Sequence, residues 1–315
     1  MSNLVKLLSL LVLCLNLAFV TSCNDDEEVT PDPEPTNTIV DIATGDANFS
    51  SLVAALQRAD LVTTLQGGEY TVFAPTNAAF ETFLNGTPLD QVPVETLTQI
   101  LLNHVVAGTV RSTDLTNGYV GTSAKESTTD NAISLLVNTD SGVKLNGDVT
   151  VTSADIDADN GVVHVVDKVI AVPTVVDLAV QGDFSILVAA LTRADLTTDF
   201  VGTLNGDGPF TVFAPTDQAF VDLLNSNNDW NTLDDIPVAT LEAVLKYHVV
   251  AGANVLSSTL QDNQMVTTFE GSDFTINTTN GATITDGQGG VSTIVATDVQ
   301  GGNGVVHVID KVILP

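Results

Sequence analysis

Beyond position 23 the chain contains no cysteine. The remainder therefore has no disulfide, no thiolate nucleophile and no cysteine-ligated metal. Aromatic residues are also scarce, at 5% against 44% hydrophobic residues overall. Val, Leu, Ile and Thr must then build a globular interior, which favours strands and small helices. Basic residues number 9 against 39 acidic ones, a formal charge of −30. That field repels nucleic acid and removes it from the partner classes. An acidic surface keeps the chain soluble and can recruit divalent cations or basic partners. Signatures of common enzymes are missing too: there is no Gly-x-Ser-x-Gly elbow, Walker loop, dinucleotide fingerprint or His-Glu-x-x-His. A glycosidase pair drawn from the many carboxylates stays open, because sequence does not show which two share a cleft.

Both cysteines, Cys14 and Cys23, lie at the start of the chain. Lys6 precedes an apolar run over residues 7–20. The run is short for a membrane span and reads as the core of a secretory signal peptide covering residues 1–22. "VTSC" at 20–23 resembles the lipobox of bacterial lipoproteins, with Ser22 as the small residue and Val20 where Leu is commoner. The resemblance implies lipidation at Cys23; ordinary secretory cleavage near Ser22 is the alternative. Residues 23–36 follow, with four consecutive acids and three prolines. Such a segment is a solvated tether, reaching roughly 40 Å at about 3.1 Å per residue. Acids directly after a lipidated cysteine also resemble an export signal of surface-exposed Gram-negative lipoproteins. An outer-membrane lipoprotein exposed at the surface is thus expected, with the periplasmic face as the other possibility.

The rest of the chain repeats once. "TVFAPTNAAF" at 71–80 returns as "TVFAPTDQAF" at 211–220, "HVVAG" at 104 returns at 248, and "GVVHVVDKVI" at 161–170 returns as "GVVHVIDKVI" at 304–313. The offset stays near 140 residues, which is a duplicated domain and not a solenoid of short repeats. The boundary falls near "AVPTV" at 171–175, giving domains over 37–172 and 173–315, close enough along the chain to touch. Phe49, Leu52, Val53 and Leu56 follow helical spacing behind Asn48 as N-cap, and Phe184, Leu187, Val188 and Leu191 do so behind Asp183. A strand, "YTVFA", comes next, then a helix capped by Asn77 or Asp217, then a third helix opening on Pro93 or Pro237. Beyond Gly108 and Gly252 short alternating runs read as strands and turns. Each unit is therefore α+β, with helices against a small sheet or sandwich.

"TVFAPTNAAF", a helix ending in His and then "NGVVHVVDKVI", present in both halves, resemble the fasciclin (FAS1) domain. The resemblance spans 37–315. It implies two tandem wedge-like β-sandwiches, each carrying several packed helices. It also implies extracellular adhesion and matrix or surface association without a known reaction. Some members place an adhesive Tyr-His pair at the end of the third helix; here Tyr247 and His248 match it, while the first copy has Asn103 and His104.

The four histidines occupy two repeated places. In an extended strand His164 shares a face with Val162 and Val166, and the opposite face is apolar as well, so His164 and His307 read as core histidines bonded to backbone. His104 and His248 follow Leu101 and Leu245 at a helix end, where a ring can bond free carbonyls and meet the helix dipole. The histidines of one unit stand about 60 residues apart and lack the spacing of a zinc site, even with Asp167 or Asp310 added. "DIDADNG" at 155–161 resembles a calcium loop through Asp155, Asp157 and Asp159, although the glycine is one place late and no Glu closes it. No other cofactor is implied. The expected protein is a lipid-anchored, non-catalytic adhesion module for a protein or polysaccharide of the cell surface or matrix. Two alternatives stand beside it: an envelope protein binding a small or apolar ligand between helices and sheet, and a hydrolase of surface glycans.

Overall fold

The computed structural model describes residues 37–315 except 183 and 280, and Cys23, the leader and the tether lie outside the described residues. Residues 37–315 form one compact unit. In its first half three helices, α1 (Ile39–Gly45), α2 (Ser50–Arg58) and α3 (Val62–Gln66), precede strand β1 (Tyr70–Pro75). Helices α4 (Asn77–Leu84) and α5 (Val94–Asn103) follow, then β2 (Val105–Ala107), β3 (Gly118–Lys125), β4 (Ala132–Asn138), β5 (Lys144–Leu145), β6 (Val149–Ala158) and β7 (Gly161–Val166). The second half repeats the order: α6 (Val175–Gln181), α7 (Ser185–Leu191), α8 (Phe200–Leu204), β8 (Phe210–Pro215), α9 (Asp217–Asn225) and α10 (Val238–Tyr247). Its strands are β9 (Val249–Ala251), β10 (Gln264–Thr267), β11 (Asp273–Asn277), β12 (Thr283–Thr285), β13 (Val291–Gly301) and β14 (Gly304–Ile309).

Each half holds one seven-stranded mixed sheet, ordered β2-β1-β7-β6-β5-β4-β3 and β10-β11-β12-β13-β14-β8-β9. β1 and β7 run parallel, with Phe73 opposite His164, and β8 and β14 repeat that pair with Phe213 opposite His307. The expected α+β class is realised, and the sandwich character has a specific origin. Register shifts break the β6–β7 and β13–β14 ladders. Bulges of this kind bend and twist the long strand, so one continuous sheet folds across it. A second apolar core then joins Phe73, Val166 and Ile170 to Leu135, Val137 and Leu145, apart from the core under the helices. In the other half, Phe213, Tyr247, Phe274, Ile276 and Ile309 do the same.

Helix starts differ from the sequence expectation. Asn48 does not cap α2: Asp46 caps a short 3-10 turn at Ala47–Phe49, and the N–H of Ser51 in α2 donates instead to Asn77 Oδ1 at 2.9 Å. Asn77 in turn does not cap α4; Thr76 does. Thr216 caps α9, and Asp217 receives the N–H of Ile186 at 2.8 Å and the hydroxyl of Ser185 at 2.5 Å. The acid or amide that a local pattern assigns to its own helix thus closes the preceding one across the fold. Asp183, expected to cap that preceding helix, lies outside the described residues. Pro93 and Pro237 occupy the N-cap itself, one place before the first turn. No single described helix is long and apolar enough to cross a membrane.

The two halves touch. The N–H of Gln300 in β13 donates to Ser134 Oγ in β4 at 2.9 Å, and Asn254 Nδ2 donates to Glu126 Oε2 at 3.0 Å. Burial pushes the Glu126 carboxyl up, but the hydroxyls and N–H groups of Thr128 and Thr129 outweigh that and hold it below its usual range.

Candidate functional site: the histidine junctions and the open sheet face

The repeated string "NGVVHV-DKVI" is explained residue by residue. Asn160 at its start takes the N–H of Ile39 on Oδ1 at 2.9 Å and donates to the carbonyls of Leu65 and Gly68, tying α1 and α3 to β7. Asn303 repeats all three bonds with Val175, Leu204 and Gly206. Gly161 has φ +141°, and a Cβ there would stand 1.9 Å from the Tyr70 carbonyl oxygen, so only glycine lets β1 approach. Asp167 accepts the N–H of Thr150 at 2.7 Å and Asp310 that of Thr293 at 2.6 Å, closing the strand ends.

His164 is fully buried between β6 and the segment after β2. Its Nδ1 accepts the N–H of Asp155 at 3.1 Å, and its Nε2–H donates to the Val110 carbonyl at 3.0 Å. His307 makes the same pair with Asp298 and Val255, at 3.3 and 2.8 Å. Asp155 and Asp298 both have φ +59°, a left-handed conformation that Asp tolerates better than most residues. Their carboxylates accept the N–H and hydroxyl of Ser112 and of Ser257. Those bonds hold the Asp155 carboxyl below its usual range. A serine, a histidine and an aspartate therefore meet twice, but not as a nucleophile relay. The hydroxyl is bonded to the carboxylate and the ring to two backbone groups, so no base faces the serine.

His104 and His248 use the opposite tautomer. Nδ1–H donates to the carbonyl of Ile100 or Val244, both at 2.7 Å, and Nε2 accepts the N–H of Ile170 at 2.8 Å or Ile313 at 3.1 Å. Burial lowers both rings from 6.5 to about 4, and burial also lowers His307. The four histidines are thus structural junctions, each with both nitrogens occupied by backbone.

Tyr247 is 0% exposed. Its hydroxyl donates to the Asp273 carbonyl at 2.8 Å and its ring meets the edge of Phe274, with centroids 6.0 Å apart. Burial raises its pKa. The side chains of Tyr247, His248 and His104 all point inwards, so a partner at the surface does not reach them while the fold is intact. Asn103, opposite Tyr247 in the repeat, is equally buried and bonds Ala171 and Thr122.

The three acids of the calcium-like string do not converge. Asp155 binds Ser112, Asp157 pairs with Arg111 at 2.7 Å, and Asp159 accepts the N–H of Asn37 at 2.7 Å. Among the described residues no group of three His, Cys, Asp or Glu side chains is placed to hold a metal. Asp298 stands in the second half where Asp155 does in the first and holds Ser257 as Asp155 holds Ser112, whereas Gln300 stands where Asp157 does. The cavities beside His104 and beside His248 each hold about 20 Å³. That is room for one water, not for the ligand expected there.

A different surface is open. On β10 to β13 the residues facing away from the core form a row, Met265–Thr275–Thr285–Val291, matched across four strands. Thr267, Asn277, Thr283, Thr293 and Val295 share the face, and Asp273 is its acid. Met265, Val291 and Val295 are 68%, 50% and 56% exposed. The signal was present in the sequence as alternation such as "SDFTINTT", but which parity faced outward required the register.

The fasciclin domain family model matches residues 47–173 and 182–315. Protein sll1483 of Synechocystis is 44% identical over 140 residues, covering 43% of this chain and 74% of that one. Human periostin is 30% identical over 259 residues, covering 79% of this chain. The chain spans only 28% of periostin's own length. Among solved structures, a FAS1 domain pair from the insect cell adhesion molecule fasciclin I aligns with 83% of this chain and 92% of that one, with TM-score 0.46 and 20% identity.

Proposed function

The chain belongs to the fasciclin domain family, and on that premise we propose that it is a non-catalytic adhesion module. It is held at the outer membrane through a lipid on Cys23, displayed outside the cell, and binds a protein or polysaccharide of a cell surface or matrix. The observation that carries this reading is the open face of β10 to β13. In a chain of charge −30, this face presents threonines, Met265, Val291 and Val295 with one acid. A flat, nearly uncharged sheet face suits an extended partner better than a small molecule, which needs a concave site. The histidine junctions support it by keeping the sheet rigid, so that little ordering cost falls on binding. Membership of the family is consistent with adhesion, and the signal-like leader with export.

Two measurements test the proposal. Protease treatment of intact cells, blotted for the second domain against a periplasmic control, is expected to remove the signal. The purified full-length protein, coated on a surface, is expected to capture cells, matrix proteins or polysaccharide. Met265→Glu with Val291→Glu should abolish that capture at unchanged melting temperature. Capture no better than an inert coat, or capture indifferent to the paired substitution, would rule out this face.

A further inference from the structure

We propose that the second half also carries a binding site for an uncharged, largely apolar small molecule. The site is an open cavity of about 560 Å³ bordered by α9, α10 and Leu314 with Pro315. Gln288, in the turn between β12 and β13, closes its remaining side, and its test is independent of adhesion.

The two halves share one order of elements, so their differences point to what was added. Counting from Asn85 and Asn225, the link to the next helix runs over residues 86–92 in the first half and 226–236 in the second, four residues more. The longer link brings in Trp230, the chain's single tryptophan. Two and six places after the N-cap proline, α5 carries Glu95 and Gln99, whereas α10 carries Ala239 and Ala243. The second half thus has an indole where the first has none, and alanines where the first has two long side chains. Both changes open and line the cavity.

The link is held in shape. The N–H of Trp230 donates to the Asn227 carbonyl at 3.1 Å, and that of Asp229 to Asn227 Oδ1 at 3.0 Å. On the other side the N–H groups of Asn231 and Thr232 both reach Asp235 Oδ2 at 2.8 Å. Those two bonds hold the Asp235 carboxyl below its usual range. Trp230 packs on the same core as Ile236 and Leu241. The wall is therefore formed before any ligand arrives.

The lining chemistry sets the ligand class. Apart from Trp230 the walls are aliphatic, and the polar groups are Ser226, Asn227, Thr240 and Gln288. No ionisable side chain lines the cavity, although the chain carries 39 acids. An anion would be repelled by the surrounding field, and no acidic side chain lines the cavity to hold a cation. The volume lies in the range used for drug-sized ligands, and apolar walls with a few convergent polar groups are the usual make-up of such sites. The ligand is thus neutral, with an apolar body against Trp230 and a hydrogen-bonding end at Asn227, Thr240 or Gln288.

The test uses N-phenyl-1-naphthylamine, an uncharged dye, titrated into the purified full-length chain with excitation of Trp230. Energy transfer from that one tryptophan reports dye bound on the same domain, and the cavity substitutions assign it to this site. Saturable, one-to-one transfer is expected. Ala239→Glu with Ala243→Gln, which restores the side chains of the first half, should weaken it at least tenfold at unchanged melting temperature. Thr240→Arg, at an exposed position, should do the same should the double variant fold poorly. Absence of saturable transfer, or equal affinity in the wild-type chain and Thr240→Arg, overturns the proposal.

Discussion

Lowering the pH from 6.5 to 5 should destabilise the protein through its histidines. His104 and His248 are neutral in the fold, lowered from 6.5 to about 4 by burial. Below pH 6.5 the unfolded chain takes up a proton at each ring, while the folded chain does not until about pH 4. Stability is therefore present above 6.5 and lost as the pH falls through that window. At about 1.36 kcal/mol per pKa unit, each histidine contributes on the order of 1.6 kcal/mol between pH 6.5 and 5, and the pair about 3 kcal/mol. That is a large part of a typical stability of about 5–15 kcal/mol. Carboxylates with lowered values, such as Glu242, held down to about 2 chiefly by the Thr197 hydroxyl, weaken the fold only at more acid pH. Relief of charge repulsion towards the isoelectric point near 4.1 acts in the opposite sense, again mainly below pH 5. Urea titrations at half-unit steps, followed by circular dichroism, read the slope directly. His104→Phe should start roughly 1–3 kcal/mol less stable, because the N–H of Ile170 loses its acceptor, and should show a shallower pH dependence, His248 and His307 supplying the remainder. A flat profile between pH 6.5 and 5, or a slope untouched by His104→Phe, would refute the reasoning.

Three further outcomes are expected. His164→Ala or His307→Ala should each cost roughly 2–4 kcal/mol in thermal or urea unfolding, since each removes a buried ring and leaves two backbone groups unpaired. Tyr247→Phe should cost about 1 kcal/mol for its one hydrogen bond and Tyr247→Ala about 3–5 kcal/mol, measured the same way. Gly161→Ala should prevent soluble folding of the first half, seen as loss of protease resistance on expression, because its Cβ has no room beside the Tyr70 carbonyl.

Residues that recur in both halves were legible as architecture, because the fold makes the same demand twice. The buried places of His164 and His307, and the helix-end places of His104 and His248, follow from spacing alone. Helix capping was not legible, since Asn77 and Asp217 serve a helix about 30 residues earlier, and that partnership exists only after the sheet brings α2 beside α4 and α7 beside α9. Tyr247 shows the opposite limit. Matched by resemblance to an adhesive pair, it carries the expectation that its loss should affect binding more than stability. The structure gives that ring no exposed area and sets its hydroxyl on the Asp273 carbonyl, and the stability loss predicted above for Tyr247→Ala rests on that packing.

The features that differ between the halves are the ones architecture does not require. Trp230 with its longer link, Ala239 and Ala243, and the outward Met265 and Val291 all belong to the second half, and the first half closes its core without counterparts to them. A duplicated domain frees one copy from part of its constraints only if the other copy and the junction still hold the unit together. Here Ser134, Glu126, Asn254 and Gln300 supply that junction. On the two proposals above, binding concentrates in the second domain, and a chain carrying Ala239→Glu, Ala243→Gln, Met265→Glu and Val291→Glu, with Asn254 and Gln300 kept at the junction, should fold yet lose both dye transfer and capture.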